Sequence, residues 1–305
     1  MKILVVLNPV AGHADVDAVR EVLARHLGAS GIPYEVYETS GEECLADVVQ
    51  PAIERGFDTF VAAGGDGTVS SLVDGLVHTE MPLGILPIGT VNVLARELGI
   101  PLDLDRAACL LAGEHALTSM DVGQVNGRYF ALNASVGVSV STMQSTKAQD
   151  KRRLGVWAYL LSGIKTLVGA QPHRFEIEVD GRVEHYRASE VMVANGGAIG
   201  DPVLRWGPDV HLDDGQLDLC VVRARSVLDY LVLAWRLFWG SQRRDRRLRC
   251  IRVRQSARVD AEKTMLVQAD GDLVTRTPMR LSVLPQAVHV IVPASHEKRG
   301  IRRPP

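Results

Sequence analysis

The chain has 305 residues, 46% of them hydrophobic and 23% charged, with a formal net charge of -2. That length can hold two domains with cores of their own, and the balance is that of a soluble globular chain. The near-neutral charge argues against nucleic acid as the main partner, and the four scattered cysteines (Cys44, Cys109, Cys220 and Cys250), with no C-x-x-C, argue against a metal cluster or disulfide framework and for buried, reduced thiols.

The opening M-K-I-L-V-V-L-N-P has too short an apolar run for a signal-peptide core and reads as a first strand, Ile3 to Leu7. No run reaches the roughly 18 apolar residues of a spanning helix, so a cytoplasmic chain is expected. Val16, Val19, Val22, Leu23 and Leu27 follow helical spacing. Tyr34 to Tyr37 is the next strand, and Cys44 to Glu54 a helix that Pro51 should kink or shorten. Strand Thr59 to Ala63, helix Val69 to Val77, strand Leu83 to Ile88, helix Val91 to Leu98 and helix Arg106 to Leu111 complete the alternation. This rhythm predicts a parallel sheet with helices on both faces, a three-layer α/β domain over residues 1–118.

The rhythm changes near Met120. Two hairpins are predicted around Asn126-Gly127 and Asp180-Gly181, dipeptides suited to type I′ turns. Later strands are expected at Val191 to Ala194, Leu217 to Val222, Ile251 to Val259, Met265 to Gln268, Arg280 to Leu284 and Val288 to Val292. Serial short strands predict an antiparallel β-sandwich or barrel, here a second domain over residues 119–295. Helices interrupt it around Val156 to Val168 and Val227 to Trp239, and residues 296–305 form a basic tail.

Three glycine-containing segments follow predicted parallel strands: N-P-V-A-G (Asn8, Pro9, Val10, Ala11, Gly12), G-G-D-G-T-V-S (Gly64, Gly65, Asp66, Gly67, Thr68, Val69, Ser70) and P-I-G-T-V-N around Thr90. In open α/β sheets ligands bind beyond the carboxyl ends of the strands, where Thr39 would also lie. Backbone N–H groups at a helix start attract phosphate, and glycines let it approach. Asp66 would repel bare phosphate, so it calls for Mg²⁺ or a hydroxyl partner; a tight βα turn with Asp66 as N-cap is the alternative. Neither a Walker A loop nor a G-x-G-x-x-G fingerprint is present. No histidine pattern supports a metal or a Ser-His-Asp site.

Taken in order, N-P-V-A-G, G-G-D-G-T and P-I-G-T-V-N-V-L-A-R-E-L-G-I-P resemble the diacylglycerol kinase catalytic family, and most of all its bacterial lipid kinases. The resemblance continues through N-A-S-V-G-V (Asn133 to Val138), V-A-N-G (Val193 to Gly196), L-D-D-G-Q-L-D (Leu212 to Asp218) and A-D-G-D (Ala269 to Asp272), covering the chain to about Pro293. It implies an NAD kinase-like first domain that binds ATP through Asn8 to Gly12, Thr39, Gly64 to Ser70 and Thr90. It implies Mg²⁺ at Asp214, with main-chain oxygen from His211 and Gln216, a donor set suited to that ion. It implies a carboxylate that accepts the proton of a lipid hydroxyl. Asp272 stands where the family usually has Glu, one methylene shorter, so Asp270 is a second candidate for that role. Val93 departs from the Asp that many members carry.

The expected activity is therefore transfer of the γ-phosphate of ATP to a lipid hydroxyl at a cleft between two domains. A basic, aromatic stretch supports a membrane surface as partner: Leu228, Leu231, Trp235, Phe238 and Trp239 share a helical face, followed by Arg243, Arg244, Arg246, Arg247 and Arg249. Lys151-Arg152-Arg153 before Trp157 has the same character. The alternative for each helix is packing on the second domain's sheet. Peripheral association with the inner face of the membrane is expected, and an exposed strand edge offers a route to a homodimer. Two rival readings are an NAD kinase-like enzyme with a soluble substrate and a non-catalytic lipid- or nucleotide-binding protein.

Overall fold

Ile3–Leu7 (β1) is wholly buried and lies between Tyr34–Glu38 (β2) and Thr59–Gly64 (β3) as a parallel central strand. This follows from an uninterrupted aliphatic run, which suits a strand covered on both faces. The structure is a computed structural model that describes residues 1–12, 15–40, 43–138, 140, 172–199, 201–206, 210–239 and 245–295. The expected helix Val156 to Val168, the Lys151-Arg152-Arg153 cluster, Arg243, Arg244 and the tail lie outside the described residues. The chain divides into two compact units. One comprises Met1–Val122, Gly200–Pro202 and the chain from Pro285; the other comprises Gly123–Ile199 and Val203–Leu284.

In the first unit the parallel order is β2-β1-β3 and then Leu83–Pro87 (β4). Helix Val16–Leu23 (α1), prolonged by a π-turn over Ala24–Gly28, starts where the Asp15 carboxylate accepts the N–H groups of Asp17 and Ala18. Ala46–Glu54 (α2) starts two residues later than expected and carries Pro51 without ending there. A proline forfeits only its own N–H bond to the preceding turn, and Arg55 still donates to the Pro51 carbonyl. Asp66–Leu76 (α3), Val93–Glu97 (α4) and Leu104–Ala112 (α5) follow, the last capped by Asp103, which accepts from Arg106 N.

Ala116–Val125 (β5) begins in the first unit and ends in the second, where it turns at Asn126-Gly127 into Arg128–Phe130 (β6), and both turn residues have positive φ. Next come Asn133–Gly137 (β7), His173–Val179 (β8), Arg182–Ala188 (β9) and Glu190–Ala194 (β10). A short pair, Ala198–Ile199 (β11) and Asp201–Arg205 (β12), precedes Leu217–Val222 (β13) and helix Val227–Phe238 (α6). The chain then runs through Leu248–Val253 (β14), Ser256–Ala261 (β15), Leu266–Ala269 (β16), Asp272–Arg276 (β17) and Met279–Val292 (β18), whose residues from Pro285 belong to the first unit. One antiparallel sheet has the order β14-β13-β10-β7-β16-β17, and the start of β18 pairs with β15, which pairs with β8 and then β9. Side chains of both sheets, among them Phe130, Val136, Phe175, Val191, Leu219 and Val259, form one core. The expected antiparallel sandwich is therefore observed.

Three expectations are corrected. The single strand Ile251 to Val259 is two, β14 and β15, in different sheets. The Asp180 carboxylate accepts the N–H groups of Arg254, Gln255 and Ser256, and this satisfies the turn between them. The two closing strands are one, β18, with Gln286 at φ 52 donating its N–H to the buried Asp121 carboxylate. The cysteines are not all buried thiols: Cys220 and Cys250 are register partners across β13 and β14, 4.1 Å apart at Cα, and are disulfide-bonded, whereas Cys44 and Cys109 are exposed.

Candidate functional site

Each unit gathers its own share of the candidate residues. In the first, the carboxyl ends of β1, β3 and β4 bring the three glycine-containing segments together. Asn8 N donates to Ala63 O at 2.9 Å, and Ile88 N and Gly89 N both donate to Gly64 O at 3.1 and 3.2 Å. The Asn8 side chain closes its own turn, accepting Val10 N at 3.1 Å while Nδ2 donates to Thr68 Oγ1 at 3.2 Å. Two glycines are required by backbone approach. A Cβ on Gly12, which has φ +56, would lie 2.5 Å from the Ile88 carbonyl oxygen, and one on Gly89 would lie 2.4 Å from Gly65 Cα. Gly67 differs, because a Cβ there would meet nothing within 4 Å.

A cavity of about 460 Å³ opens here, lined by Gly12, Asp15, Pro87, Gly89 and Thr90 among others. Val10 and Thr90 are exposed beside the loops, and Pro9, Ala11 and Ser70 are half-buried or exposed. Thr39 is buried at the end of β2, its N–H bonded to Leu7 O. Thr68 and Val69 are buried as well, so Val69 serves packing with its side chain.

Asp66 is not the N-cap. Gly65 holds that position, and Asp66 opens α3. Its Oδ1 accepts Leu94 N at 3.0 Å, in the first turn of α4. The N-cap of α4, Asn92, sits at φ 53 and offers no side-chain cap, since its Nδ2 donates instead to Pro87 O and Gly89 O. Asp66 thus supplies from another segment the cap that α4 lacks. Asn92 Oδ1 is buried with no hydrogen-bond partner among the described residues. That acceptor fits a ligand bearing donors, as a nucleotide does. Asn92 lies in the sequence motif, but its spacing did not reveal that its side chain ties the carbonyls of Pro87 and Gly89.

In the second unit, A-D-G-D forms the turn between β16 and β17, with Asp270 and Gly271 both at positive φ. Asp270 accepts three main-chain donors: Ala131 N on Oδ2 at 2.6 Å, and Leu132 N and Asn133 N on Oδ1 at 2.9 and 2.8 Å. Gln268 lies beneath, donating to Asn133 Oδ1 and Ser135 Oγ while its own oxygen accepts Gly271 N. Asn195 Nδ2 donates to Ala131 O, so V-A-N-G joins the same cluster. Three motifs that are far apart in the chain are thereby tied around one turn. Asn195 stood in V-A-N-G without a role of its own, and Gln268 was not singled out from sequence; a buried polar residue shows itself only through its partners. Asp272, next along, is exposed and takes no side-chain hydrogen bond among the described residues.

Asp214 lies in the L-D-D-G-Q-L turn, where Gly215 has φ +70; its Oδ1 accepts Gln216 N at 3.0 Å. Gln216 Nε2 donates to the Asp214 carbonyl at 3.3 Å, and His211 is exposed nearby in sequence. No group of three or more His, Cys, Asp or Glu side chains able to hold a metal assembles among the described residues. The donors available here, one carboxylate and main-chain oxygens, are chemically suited to Mg²⁺, which keeps much of its water.

Residues 2–125 match the model of the diacylglycerol kinase catalytic domain, and residues 133–292 match that of the YegS C-terminal NAD kinase beta sandwich-like domain. The diacylglycerol kinase of Bacillus subtilis (strain 168) is 30% identical over 299 residues, covering 95% of each chain. The chain belongs to the diacylglycerol kinase catalytic family. A probable lipid kinase YegS-like protein of Pectobacterium atrosepticum is 31% identical over 251 residues, covering 80% of this chain and 81% of its own. A crystal structure of a diacylglycerol kinase from Bacillus anthracis superposes with a TM-score of 0.78 at 27% identity, covering 96% of this chain and 97% of that one. The diacylglycerol kinase family resemblance and the fold read from the sequence are thus both borne out.

Proposed function

We propose that this chain, by family an ATP-dependent lipid kinase, phosphorylates the hydroxyl of a diacylglycerol-like lipid and that Asp272 is the base. The observation that carries this is the division of labour at the A-D-G-D turn. Three main-chain donors occupy the Asp270 carboxylate, which leaves Asp272 as the exposed carboxylate beside it. A base needs a lone pair within reach of the proton it removes, and Asp272 meets that need better. Asp270 is a positioning residue: it fixes the turn that presents Asp272.

The reaction balances simply. The lipid hydroxyl oxygen forms a bond to the γ-phosphorus, its proton passes to the Asp272 carboxylate, the bond from the γ-phosphorus to the bridging oxygen breaks, and ADP leaves. Such transfer asks chiefly for positioning and for neutralisation of spreading charge. Asn8 to Gly12, Thr39, Gly64 to Ser70 and Thr90 bind and orient ATP. Asp214, with main-chain oxygens of His211 and Gln216, would hold Mg²⁺, which when bound neutralises phosphate charge. The family and the relatives' names do not favour an NAD kinase-like soluble substrate or a binding-only protein.

A bilayer-resident acceptor calls for peripheral association with the inner face of the membrane. No helix among the described residues is long and apolar enough to cross a membrane. A homodimer through an edge strand such as β17, which ends its sheet, belongs to the same reading.

The test is transfer of radiolabelled γ-phosphate from ATP into a total lipid extract with Mg²⁺, comparing wild type with Asp272→Ala. One labelled lipid that disappears in the variant is expected and identifies the product. Wild-type and variant labelling at equal rates would remove Asp272 from the role of base. Bound nucleotide with no labelled lipid would overturn the lipid-kinase reading.

A further inference from the structure

Helix α6 has two apolar stripes where a helix packed on a domain needs one. Leu233 and Leu237 are buried, with Tyr230 half-buried, against Cys220, Val222 and Leu248 on the outer face of the β14-β13-β10 strands. At about 100° per residue these three occupy one arc. Leu228, Leu231, Trp235, Phe238 and Trp239 occupy another, roughly 100° wide and roughly 160° away from the first. All five are between 54% and 68% exposed. The Trp239 ring is tilted against that of Trp235 and edge-on to that of Phe238, at 5.8 and 5.7 Å between ring centroids.

The polar edge of the helix is tied to the chain that follows it. Arg236 pairs with Asp245 at 3.2 Å, and Arg247 pairs with Asp229 at 2.6 Å and with Asp245 at 3.3 Å. These contacts fix how far the helix is rotated and so keep the aromatic stripe outward. They also engage both aspartates of the segment. From Arg223 to Arg252 the described residues hold seven arginines and two aspartates, a balance of +5, and Arg223, Arg225 and Arg246 are exposed. An aromatic stripe flanked by surplus arginine matches an anionic bilayer surface. Tryptophan in particular favours the headgroup level, where one end of the ring is wet and the other apolar.

We propose that α6 is the element that docks this protein on an anionic bilayer. The helix lies in the interfacial plane with the Leu228-to-Trp239 stripe among the upper acyl chains and Arg223, Arg225 and Arg246 among the phosphates. This rests on the lipid-kinase reading, since a bilayer-resident acceptor is what makes such docking useful.

The test is co-sedimentation of the full chain with sucrose-loaded vesicles of phosphatidylglycerol and phosphatidylethanolamine, or of phosphatidylcholine alone. Wild type should bind the anionic vesicles at least ten-fold more tightly, and less so as salt rises. The Trp235→Ser/Trp239→Ser double variant should lose at least ten-fold in vesicle binding, yet phosphorylate a water-dispersed short-chain diacylglycerol at the wild-type rate, which shows that it is folded. Arg246→Glu should weaken anionic binding alone. Unchanged vesicle binding by the double variant would overturn the proposal. So would a dimer in sedimentation equilibrium that the double variant abolishes while vesicle binding persists, because the stripe would then face a second copy. Wild type that docks but phosphorylates no lipid in either form would leave the docking in place and overturn the kinase reading instead.

Discussion

The Asp66 carboxylate accepts the main-chain N–H of Leu94 at 3.0 Å, joining the first residue of α3 to the first turn of α4. Asp66→Ala removes that cap and should cost about 1 kcal/mol of stability. Because the two glycine-containing loops lose a side-chain tie, it should also raise KM for ATP. Asp66→Asn keeps an acceptor oxygen and should recover most of both. Thermal melts and ATP titrations of the two variants check this; equal damage from both would mean that the charge itself, rather than the cap, is what matters. Intact lipid phosphorylation in both Asp66→Ala and Asp272→Ala would refute the functional reading as a whole.

The two carboxylates of A-D-G-D should separate by assay. Asp270→Asn weakens three main-chain hydrogen bonds to a charged acceptor and should cost about 3 kcal/mol in chemical denaturation. Asp272→Asn, at an exposed position, should leave the denaturation midpoint unmoved and lower kcat by about 10²–10⁴-fold. The reverse pattern would exchange the two roles.

Gly67 and Gly89 make an informative pair. Gly89→Ala drives a Cβ to 2.4 Å from Gly65 Cα, so backbone must shift; a loss of about 2 kcal/mol is expected. Gly67→Ala meets nothing within 4 Å and lies inside α3, so the fold should gain about 0.4–1 kcal/mol. If nucleotide phosphates lie against Gly67, that stabilised variant should nonetheless bind ATP more weakly by calorimetry. Unchanged affinity would place the phosphates elsewhere.

Asp229 offers a pH test of the seating of α6. The Arg225 main-chain N–H and then the Arg247 side chain hold its carboxyl down, from 3.8 to about 2. A depressed folded pKa gives stability that is fully present above the unfolded value and is lost as pH falls through the folded one. Wild type should therefore melt above Asp229→Asn from neutral pH down to about pH 4, and the two curves should converge by pH 2. A difference constant across that range would show that the ion pairs of α6 do not contribute through ionisation.

Much of this was legible in the chain itself. Strand β1 announces itself as an aliphatic run, and Asn126-Gly127 and Asp180-Gly181 turn where their residue types require positive φ. The contacts of Asp180 with residues 254 to 256, which divide one apolar stretch into two strands, were not legible, and neither was the pairing of Cys220 with Cys250. Spacing on α6 showed Leu228, Leu231 and Trp235 on one face but not whether that face was covered.

Local order of residue types thus determined the parallel α/β unit, the antiparallel unit and the family motifs, because strand and helix periodicities and turn preferences act within a few residues. Tertiary structure alone decided that Asp66 caps α4, that Asp270 is consumed by the backbone of Ala131 to Asn133, and that Trp235 faces outward. Each of these depends on which distant segments share a sheet edge or a packing face, and sequence periodicity does not encode such long-range neighbours.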